Sequence, residues 1–251
     1  MSDLVDAWVK AESEPFTGWD FGRIGDRYSE DQPPWSYEEL ARGALREARA
    51  AIDLGTGGGE VLATLRDSFP PLMVATEAWP PNQRVARDRL APLGASVVAY
   101  AADESRAPLP FRDGSVDAVL DRHEAYDARE VARILAGGGR FLTQQVDGRS
   151  HTDLLAHFGT EPGWPEVTVE RLAAEVGDAG LEVEVARSWW GTISFRDVGA
   201  LVYYLKAIPW HVPDFTVRRF TPALMSLQRQ LEREGELRFG EGRFVIGARK
   251  P

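Results

Sequence analysis

The sequence contains no cysteine, no long apolar run and comparatively few basic residues. Without cysteine the chain forms no disulfide, holds no thiolate-bound metal and has no cysteine nucleophile. No stretch approaches the roughly 18–20 apolar residues of a membrane span. The acidic start, MSDLVDAWVKAESE, does not resemble a signal peptide. These features predict a cytoplasmic protein that does not act at a membrane.

Acidic residues outnumber basic ones, with 29 Lys and Arg against 39 Asp and Glu and a net charge of −10. Binding to a polyanion needs positive surface, so this balance argues against a nucleic-acid partner. A local basic patch such as Arg218 and Arg219 leaves RNA open. With 251 residues, 43% of them apolar, the chain has enough material for one large α/β domain with a sizeable core.

Short apolar runs alternate with helical patterns through the middle of the chain. The runs are AAIDL, LMVATE, SVVAYA, VDAVLD, RFLTQQV and LEVEVA. This alternation predicts parallel strands joined by crossover helices. The tail GELRFGEGRFVIGARK reads as two runs around Gly240–Glu241–Gly242, which predicts a hairpin and an antiparallel C-terminal strand. The expected fold is therefore α/β: a seven-stranded Rossmann-like sheet, mostly parallel, with helices on both faces.

Two segments lie outside this alternation. Residues 1–48 combine helical patterns with an aromatic-rich stretch and predict an N-terminal cap, in which Ser36 begins a helix. Residues 190–235 predict a helical insertion that covers the acceptor side of the core, with its second helix starting at Thr221 and Pro222. The core then comprises residues 49–189 and 236–251.

The first apolar run leads into the glycine-rich stretch AIDLGTGGGE. Gly55, Gly57 and Gly59 allow the backbone to approach a ligand closely. A triphosphate loop would end in Gly-Lys-Ser/Thr, and a dinucleotide loop has the spacing Gly-x-Gly-x-x-Gly. Glu60 occupies the position at which the first pattern requires lysine and the second requires its third glycine, so the stretch matches neither. Acidic neighbours such as Asp53 favour a positively charged ligand that carries an amino acid and a nucleoside but no phosphate.

AIDLGTGGGE resembles the first motif of class I S-adenosylmethionine-dependent methyltransferases. Four stretches follow it in the order of that family: MVATEAW with Glu77, AADESRAPLPF with Asp103, LPFRDGSVDAVLDRHEA and ARILAGGGRFLTQQV. The resemblance implies S-adenosyl-L-methionine as cofactor, with Glu77 on the ribose hydroxyls and either Asp103 or Glu104 at the adenine. The cofactor residues that it implies are Asp53, Gly55, Thr56, Gly57, Gly59, Glu77, Asp103, Glu104 and Arg122.

The residues after the fourth predicted strand bear on the methyl acceptor. They read Asp121-Arg122-His123-Glu124, whereas the amino-methylating DNA enzymes of the resembled family carry Asn/Asp-Pro-Pro-aromatic there. The resemblance then implies transfer to oxygen, nitrogen or carbon of a small molecule, without a metal. His123 is the candidate general base because its ordinary pKa lies near neutrality. Alternatively, it only shapes the loop through backbone hydrogen bonds.

The acceptor pocket is predicted to contain aromatic rings and a few polar anchors. The candidates are Tyr28, Trp35, Glu124, Gln144, Trp190 and Tyr203. For any one ring, the alternative is that it packs the cap onto the core. Three other functions stay open: an RNA methyltransferase, a catalytically silent cofactor-binding regulatory module, and a nicotinamide-dependent oxidoreductase, which the glycine spacing disfavours.

Overall fold

The computed structural model describes residues 2–16, 21–100 and 108–251. The strands in these residues are β1 (Tyr28–Glu30), β2 (Ala50–Leu54), β3 (Leu72–Glu77), β4 (Ala95–Ala99), β5 (Val116–Arg122), β6 (Leu135–Val146), β7 (Glu182–Phe195) and β8 (Leu237–Arg249). The α-helices are α1 (Ser2–Ser13), α2 (Tyr37–Leu45), α3 (Glu60–Ala63), α4 (Pro80–Leu90), α5 (Ala128–Ile134), α6 (Thr152–Ala156), α7 (Val169–Asp178), α8 (Val198–Ala207) and α9 (Val217–Glu234).

The eight described strands form one sheet in the order β1-β7-β8-β6-β5-β2-β3-β4. Strands β4, β3, β2, β5 and β6 are parallel neighbours. Strand β8 lies antiparallel between β6 and β7. The predicted α/β class, with a mostly parallel sheet and an antiparallel C-terminal strand, is confirmed. The strand beyond the predicted seven is the edge strand β1, which pairs antiparallel with β7 and is too short to show a periodic pattern.

The predicted C-terminal hairpin is wrong, because β8 is one continuous strand. It pairs with β7 from Leu237, opposite Phe195, to Arg249, opposite Glu182. The glycines that suggested a turn instead allow close packing. A Cβ on Gly242 would lie 2.8 Å from the Cβ of Asp147, so only glycine fits there.

Helix α9 begins earlier than the predicted Thr221. The hydroxyl of Thr216 accepts a hydrogen bond from the backbone N–H of Arg219 at 3.2 Å and caps the helix. Pro222 lies inside the helix, where it removes a backbone donor, and the helix is kinked at Phe220. Strand β7 also continues to Phe195, beyond the predicted start of the insertion.

The helices cover both faces of the sheet. Helices α2, α3 and α4 bury apolar side chains with one face, and α5 and α7 with the other. A separate apolar cluster joins α1, α8 and α9 to the start of β8. No helix among the described residues is long and apolar enough to cross a membrane. Because β2, β3, β5 and β6 run parallel, their carboxyl ends lie at one edge of the sheet, with the glycine loop at its centre.

Candidate active site

The glycine loop turns sharply after β2. Gly55, Gly57 and Gly59 have φ angles of 59°, 62° and 79°, a region that glycine adopts without steric cost. The backbone N–H of Gly55 donates to the hydroxyl of Thr76 at 3.2 Å, and that of Thr56 donates to the Thr76 carbonyl at 2.8 Å. The end of β3 therefore anchors the loop.

Two glycines of the loop meet very different surroundings. A Cβ on Gly59 would lie 2.8 Å from Cγ of the buried Leu90, so packing of α4 requires glycine there. A Cβ on Gly57 would meet no described heavy atom within 4 Å. Packing within the described chain thus does not require glycine at position 57; its positive φ favours glycine, and the open space beside it would admit a ligand close to the backbone.

Carboxyl groups surround the loop. Glu77 is 7% exposed at the end of β3 and accepts the backbone N–H of Trp79 at 2.7 Å; burial raises its pKa. Burial also raises the pKa of Asp53, from 3.8 to about 7. Glu124 contacts Gly55 closely, and burial together with the charge of Glu77 raises its pKa. So many buried acids in one place favour a cationic ligand.

Asp121 organises the loop that follows β5. Its carboxylate accepts the backbone N–H of Glu124 at 3.1 Å and the side-chain amide of Gln145 at 3.2 Å. The same amide donates to the Glu124 carbonyl at 2.8 Å. Burial raises the pKa of Asp121 well above its ordinary value. This fully buried carboxyl group therefore holds Glu124 beside the glycine loop.

A cleft opens on the α5 side of the loop. Its lining includes Leu54, Gly55, Thr76, Tyr100, Leu109, Glu124, Ala125, Tyr126, Asp127 and Glu130. It lies at the same edge of the sheet as the glycine loop, and its free volume of about 20 Å³ is too small for a nucleoside base unless the cleft widens. Asp103 and Glu104, predicted at the adenine, lie outside the described residues.

On the α2 side, β5 and β6 place Arg122 directly opposite Gln144. The Arg122 guanidinium lies over the ring of Tyr37, 5.9 Å from its centroid, and burial lowers the pKa of Arg122. The buried hydroxyl of Tyr37 has no hydrogen-bond partner within the described ranges, and the Thr56 hydroxyl lies within reach of the Asp53 carboxyl. These groups and the Asp53 carboxyl fit the charged and polar amino-acid end of a ligand.

His123 follows β5 with a φ of 67°, which is uncommon for a residue other than glycine. Its backbone N–H donates to the Gln144 carbonyl at 2.9 Å. Its Nε2 lies 3.4 Å from Nε2 of Gln144 and 3.5 Å from Nη1 of Arg243. Burial, and then the charges of Arg122 and Arg243, lower the pKa of His123 well below 6.5.

Residues 28–37, which we call the strap, lie over this part of the edge. The Trp35 indole N–H donates to Oε1 of Gln144 at 2.8 Å. The Tyr28 hydroxyl donates to Glu30 at 2.8 Å, and Glu30 forms an ion pair with Arg243 at 2.9 Å. The structure thus brings the predicted residues Tyr28, Trp35, Gln144 and His123 into one network.

Trp190 and Tyr203 do not join that network. Trp190 is 47% exposed; its ring packs on Gly242 and lies 5.7 Å from the guanidinium of Arg149. The Tyr203 hydroxyl donates to the Pro15 carbonyl at 3.3 Å, and its ring belongs to the apolar cluster of α1, α8 and α9. For Tyr203, packing of the cap is the role that these contacts support.

Sequence reasoning missed three charged members of the site. Arg243 pairs with Glu241 at 3.1 Å as well as with Glu30, and both β8 residues are less than a tenth exposed. The signal was present in the alternation of Glu241, Arg243 and Val245, which places the three side chains on one face of an extended strand. Reading Gly240–Glu241–Gly242 as a turn concealed it.

Comparisons with known proteins agree with the fold described above. Residues 52–143 match the family model for a methyltransferase domain. Among solved structures, BH2331 of Bacillus halodurans C-125 gives a TM-score of 0.60 at 17% identity, over 85% of this chain and 97% of that one. The cyclase SpnF gives 0.53 at 16% identity, over 100% and 94%. Geranyl diphosphate methyltransferase, solved with S-adenosylmethionine, gives 0.50 at 16% identity, over 85% and 84%.

At these identities the structural likenesses establish a shared fold, and not a shared reaction. A comparison with curated protein sequences finds no match.

We expect Gly57→Ala to abolish tight cofactor binding, since a Cβ would project into space that the described chain leaves open. The positive φ also strains the variant, by roughly 1–2 kcal/mol. Gly94→Ala is the matched control, because Gly94 has a φ of 92°, no heavy atom near its Cβ position and no place in the site. Equal loss of affinity in both variants, measured by calorimetry, would contradict the assignment of Gly57.

Glu77→Ala is expected to weaken binding of S-adenosylhomocysteine by roughly 1.5–3 kcal/mol for each charge-assisted hydrogen bond lost. The exposed Asp88 on α4 provides the control Asp88→Ala, which removes one negative charge without touching the edge. Unchanged affinity in Glu77→Ala would move the ribose contact elsewhere.

Asp53 predicts a pH dependence of cofactor affinity. With its pKa near 7, the free protein carries a proton on Asp53 below that pH. A ligand ammonium favours the ionised form, so affinity should rise towards pH 7 and level off above it. Titration calorimetry from pH 5.5 to 8.5 measures this dependence. Below pH 7, Asp53→Asn should reduce the number of protons released on cofactor binding by up to one.

The same variant should stabilise the ligand-free fold above pH 7. Ionising a carboxyl whose folded pKa is raised costs stability, and the cost develops as pH rises from about 4 to about 7. It amounts to at most roughly 4 kcal/mol, from about 1.4 kcal/mol per pKa unit. A lower melting temperature of Asp53→Asn at pH 8 would show that Asp53 is a structural acid instead.

Proposed function

We propose that this chain, which carries a class I S-adenosylmethionine-dependent methyltransferase domain, transfers the methyl group of that cofactor to oxygen, nitrogen or carbon of a small-molecule acceptor. The observation that carries the proposal is the acidic rim of the glycine loop. Asp53, Glu77 and Glu124 suit a ligand with an ammonium and a sulfonium, and they would repel the phosphates of a nucleotide or dinucleotide.

Each element of the rim has a task in this function. The Glu77 carboxylate would accept the ribose hydroxyls, and the adenine would enter beside Tyr126, where the narrow cleft must widen to admit it. Asp53 and the turn at Gly57 would hold the amino-acid end. The bound cofactor supplies an electrophilic methyl group on sulfur. The chain itself contributes alignment, because direct displacement requires the acceptor, the methyl carbon and the sulfur in one line.

The acceptor would approach from the strap side, between Trp35 and the ends of β5 and β6. Trp35, Gln144 and His123 are the proposed first contacts there. The strap covers this edge through partly buried hydrogen bonds, and Arg243, which reaches it, is paired with Glu30 and Glu241. A covered, charge-paired site supports a small acceptor better than an RNA strand, which needs an open basic groove.

Two measurements test this function. Calorimetry should detect S-adenosylhomocysteine binding and no comparable binding of NAD; tight binding of NAD alone would overturn the proposal. Labelled S-adenosylmethionine should then transfer its methyl group to a component of a small-metabolite extract and not to total RNA. Gly57→Ala is the negative control for both. Cofactor binding without any labelled product would favour the silent regulatory module, and a labelled RNA product would favour the RNA methyltransferase.

A further inference from the structure

The direction of one hydrogen bond orients the amide of Gln144. An indole N–H can only donate, and that of Trp35 lies 2.8 Å from the Gln144 side chain. The atom it meets must therefore be the amide oxygen. The amide nitrogen of Gln144, which can only donate, then faces Nε2 of His123 at 3.4 Å.

A second donor faces the same ring atom. Nη1 of Arg243 lies 3.5 Å from Nε2 of His123, and a guanidinium has no acceptor. Both neighbours of Nε2 thus require a lone pair on it, so the proton of a neutral ring resides on Nδ1. No hydrogen-bond partner of Nδ1 occurs in the part of the chain that the structure describes, which leaves this N–H available.

The charges around His123 favour the neutral ring. Arg122 on β5 and Arg243 on β8 both oppose a positive imidazole. Gln144 on β6 and Trp35 on the strap contribute dipoles and no charge. Glu30 and Glu241 are engaged by Arg243 and do not hydrogen-bond the imidazole.

We propose that Trp35 and Gln144 are positioning residues which, together with Arg243, hold His123 as its neutral Nδ1–H tautomer, so that the ring offers the acceptor a hydrogen-bond donor and not a base. This inference deepens the proposed function and rests on it for its meaning in the reaction. Its structural part concerns the free protein and can be tested without an acceptor.

The strap holds Trp35 firmly enough for this role. At one end Glu30 pairs with Arg243, and the Asp31 carboxylate accepts both the backbone N–H of Thr192 at 3.0 Å and its hydroxyl at 2.8 Å. At the other end the Ser36 hydroxyl accepts the Glu39 N–H at 3.1 Å and caps α2. Trp35 therefore sits between two anchored points.

The tautomer restricts the class of acceptor. A general base at His123 would need the single lone pair of Nε2, and the donors of Gln144 and Arg243 face that lone pair at 3.4 and 3.5 Å. The arrangement suits acceptors that are nucleophilic without losing a proton to His123 and that keep a free lone pair after accepting from Nδ1–H, such as a carboxylate. A neutral alcohol, which needs a base as the methyl group arrives, does not fit.

A kinetic test of this inference uses the variant His123→Asn, because asparagine tolerates a positive φ better than most residues. If His123 is a donor, the acceptor KM should rise, turnover should fall less than about tenfold, and the decline of the rate towards acidic pH should match that of the wild type. If turnover fell about a hundredfold and its decline towards acidic pH disappeared, His123 would instead be the general base, and the inference would be wrong.

The direct test is nitrogen NMR of the ¹⁵N-histidine-labelled free protein. The chain has four histidines, so the signals missing from His123→Asn identify His123. We expect a protonated Nδ1 and an unprotonated Nε2, unchanged between pH 6 and 8. Trp35→Phe removes the donor and keeps a ring, and should yield a mixture of tautomers. Trp164→Phe, at a residue 54% exposed, should leave the spectrum unchanged.

Gln144→Glu reverses the direction of the hydrogen bond between residue 144 and Nε2 of His123. Its carboxylate would accept from Trp35 and from Nε2–H of His123, so Nε2 should become protonated and the pKa of His123 should rise. An Nε2–H tautomer in the wild type, or an Nδ1–H ring unaffected by Trp35→Phe, would overturn the inference. Neither result depends on methyl transfer. If the transfer assay failed but the spectra were as expected, the proposed function would be wrong and the tautomer inference would still hold.

Discussion

The candidate site depends on the register of β6 with its two neighbours, β5 and β8. That register puts Arg122 opposite Gln144, and Val146 opposite Arg243. A slip of one residue would turn every side chain of β6 to the other face. Gln144 would then leave Trp35 and His123, and the buried ion pairs of Arg243 would face different partners. The apolar residues of β6 specify the register, since Phe141 and Leu142 must enter opposite cores.

The polar edge is held at a cost in stability. Asp53 and Asp121 are buried carboxyls with raised pKa values, and Arg122 is a partly buried guanidinium with a lowered one. Burial of such groups opposes folding unless they are paired or hydrogen-bonded. The large apolar clusters on both faces of the sheet provide the compensating free energy. Retention of so many costly groups at one edge is the pattern expected of a functional site.

Local signals in the sequence predicted the parts of the molecule that local physics determines. The glycine loop follows from backbone conformation, and the cap at Ser36 follows from the chemistry of a helix start. The direction of a side chain on a strand near the edge of the sheet is decided by its partner strand. The sequence therefore could not separate Tyr28, which joins the network, from Trp190, which is about half exposed and packs on Gly242. Arg243 was missed for the same reason: only the unbroken pairing of β7 with β8 shows that Gly242 continues a strand.

The tautomer of His123 is the least local property of all. Trp35 and Gln144 are 109 positions apart in the chain, and Arg243 lies 120 positions beyond His123. No pattern around His123 can reveal which ring nitrogen carries the proton, because donors from the strap, β6 and β8 decide it together. The same dependence links the reacting edge to the cap: anything that moves the strap withdraws Trp35, frees the Gln144 amide to rotate and changes what His123 offers to an acceptor. A histidine whose ordinary pKa lies near neutrality is therefore not enough to identify a general base. The hydrogen-bond donors around its ring must be known first.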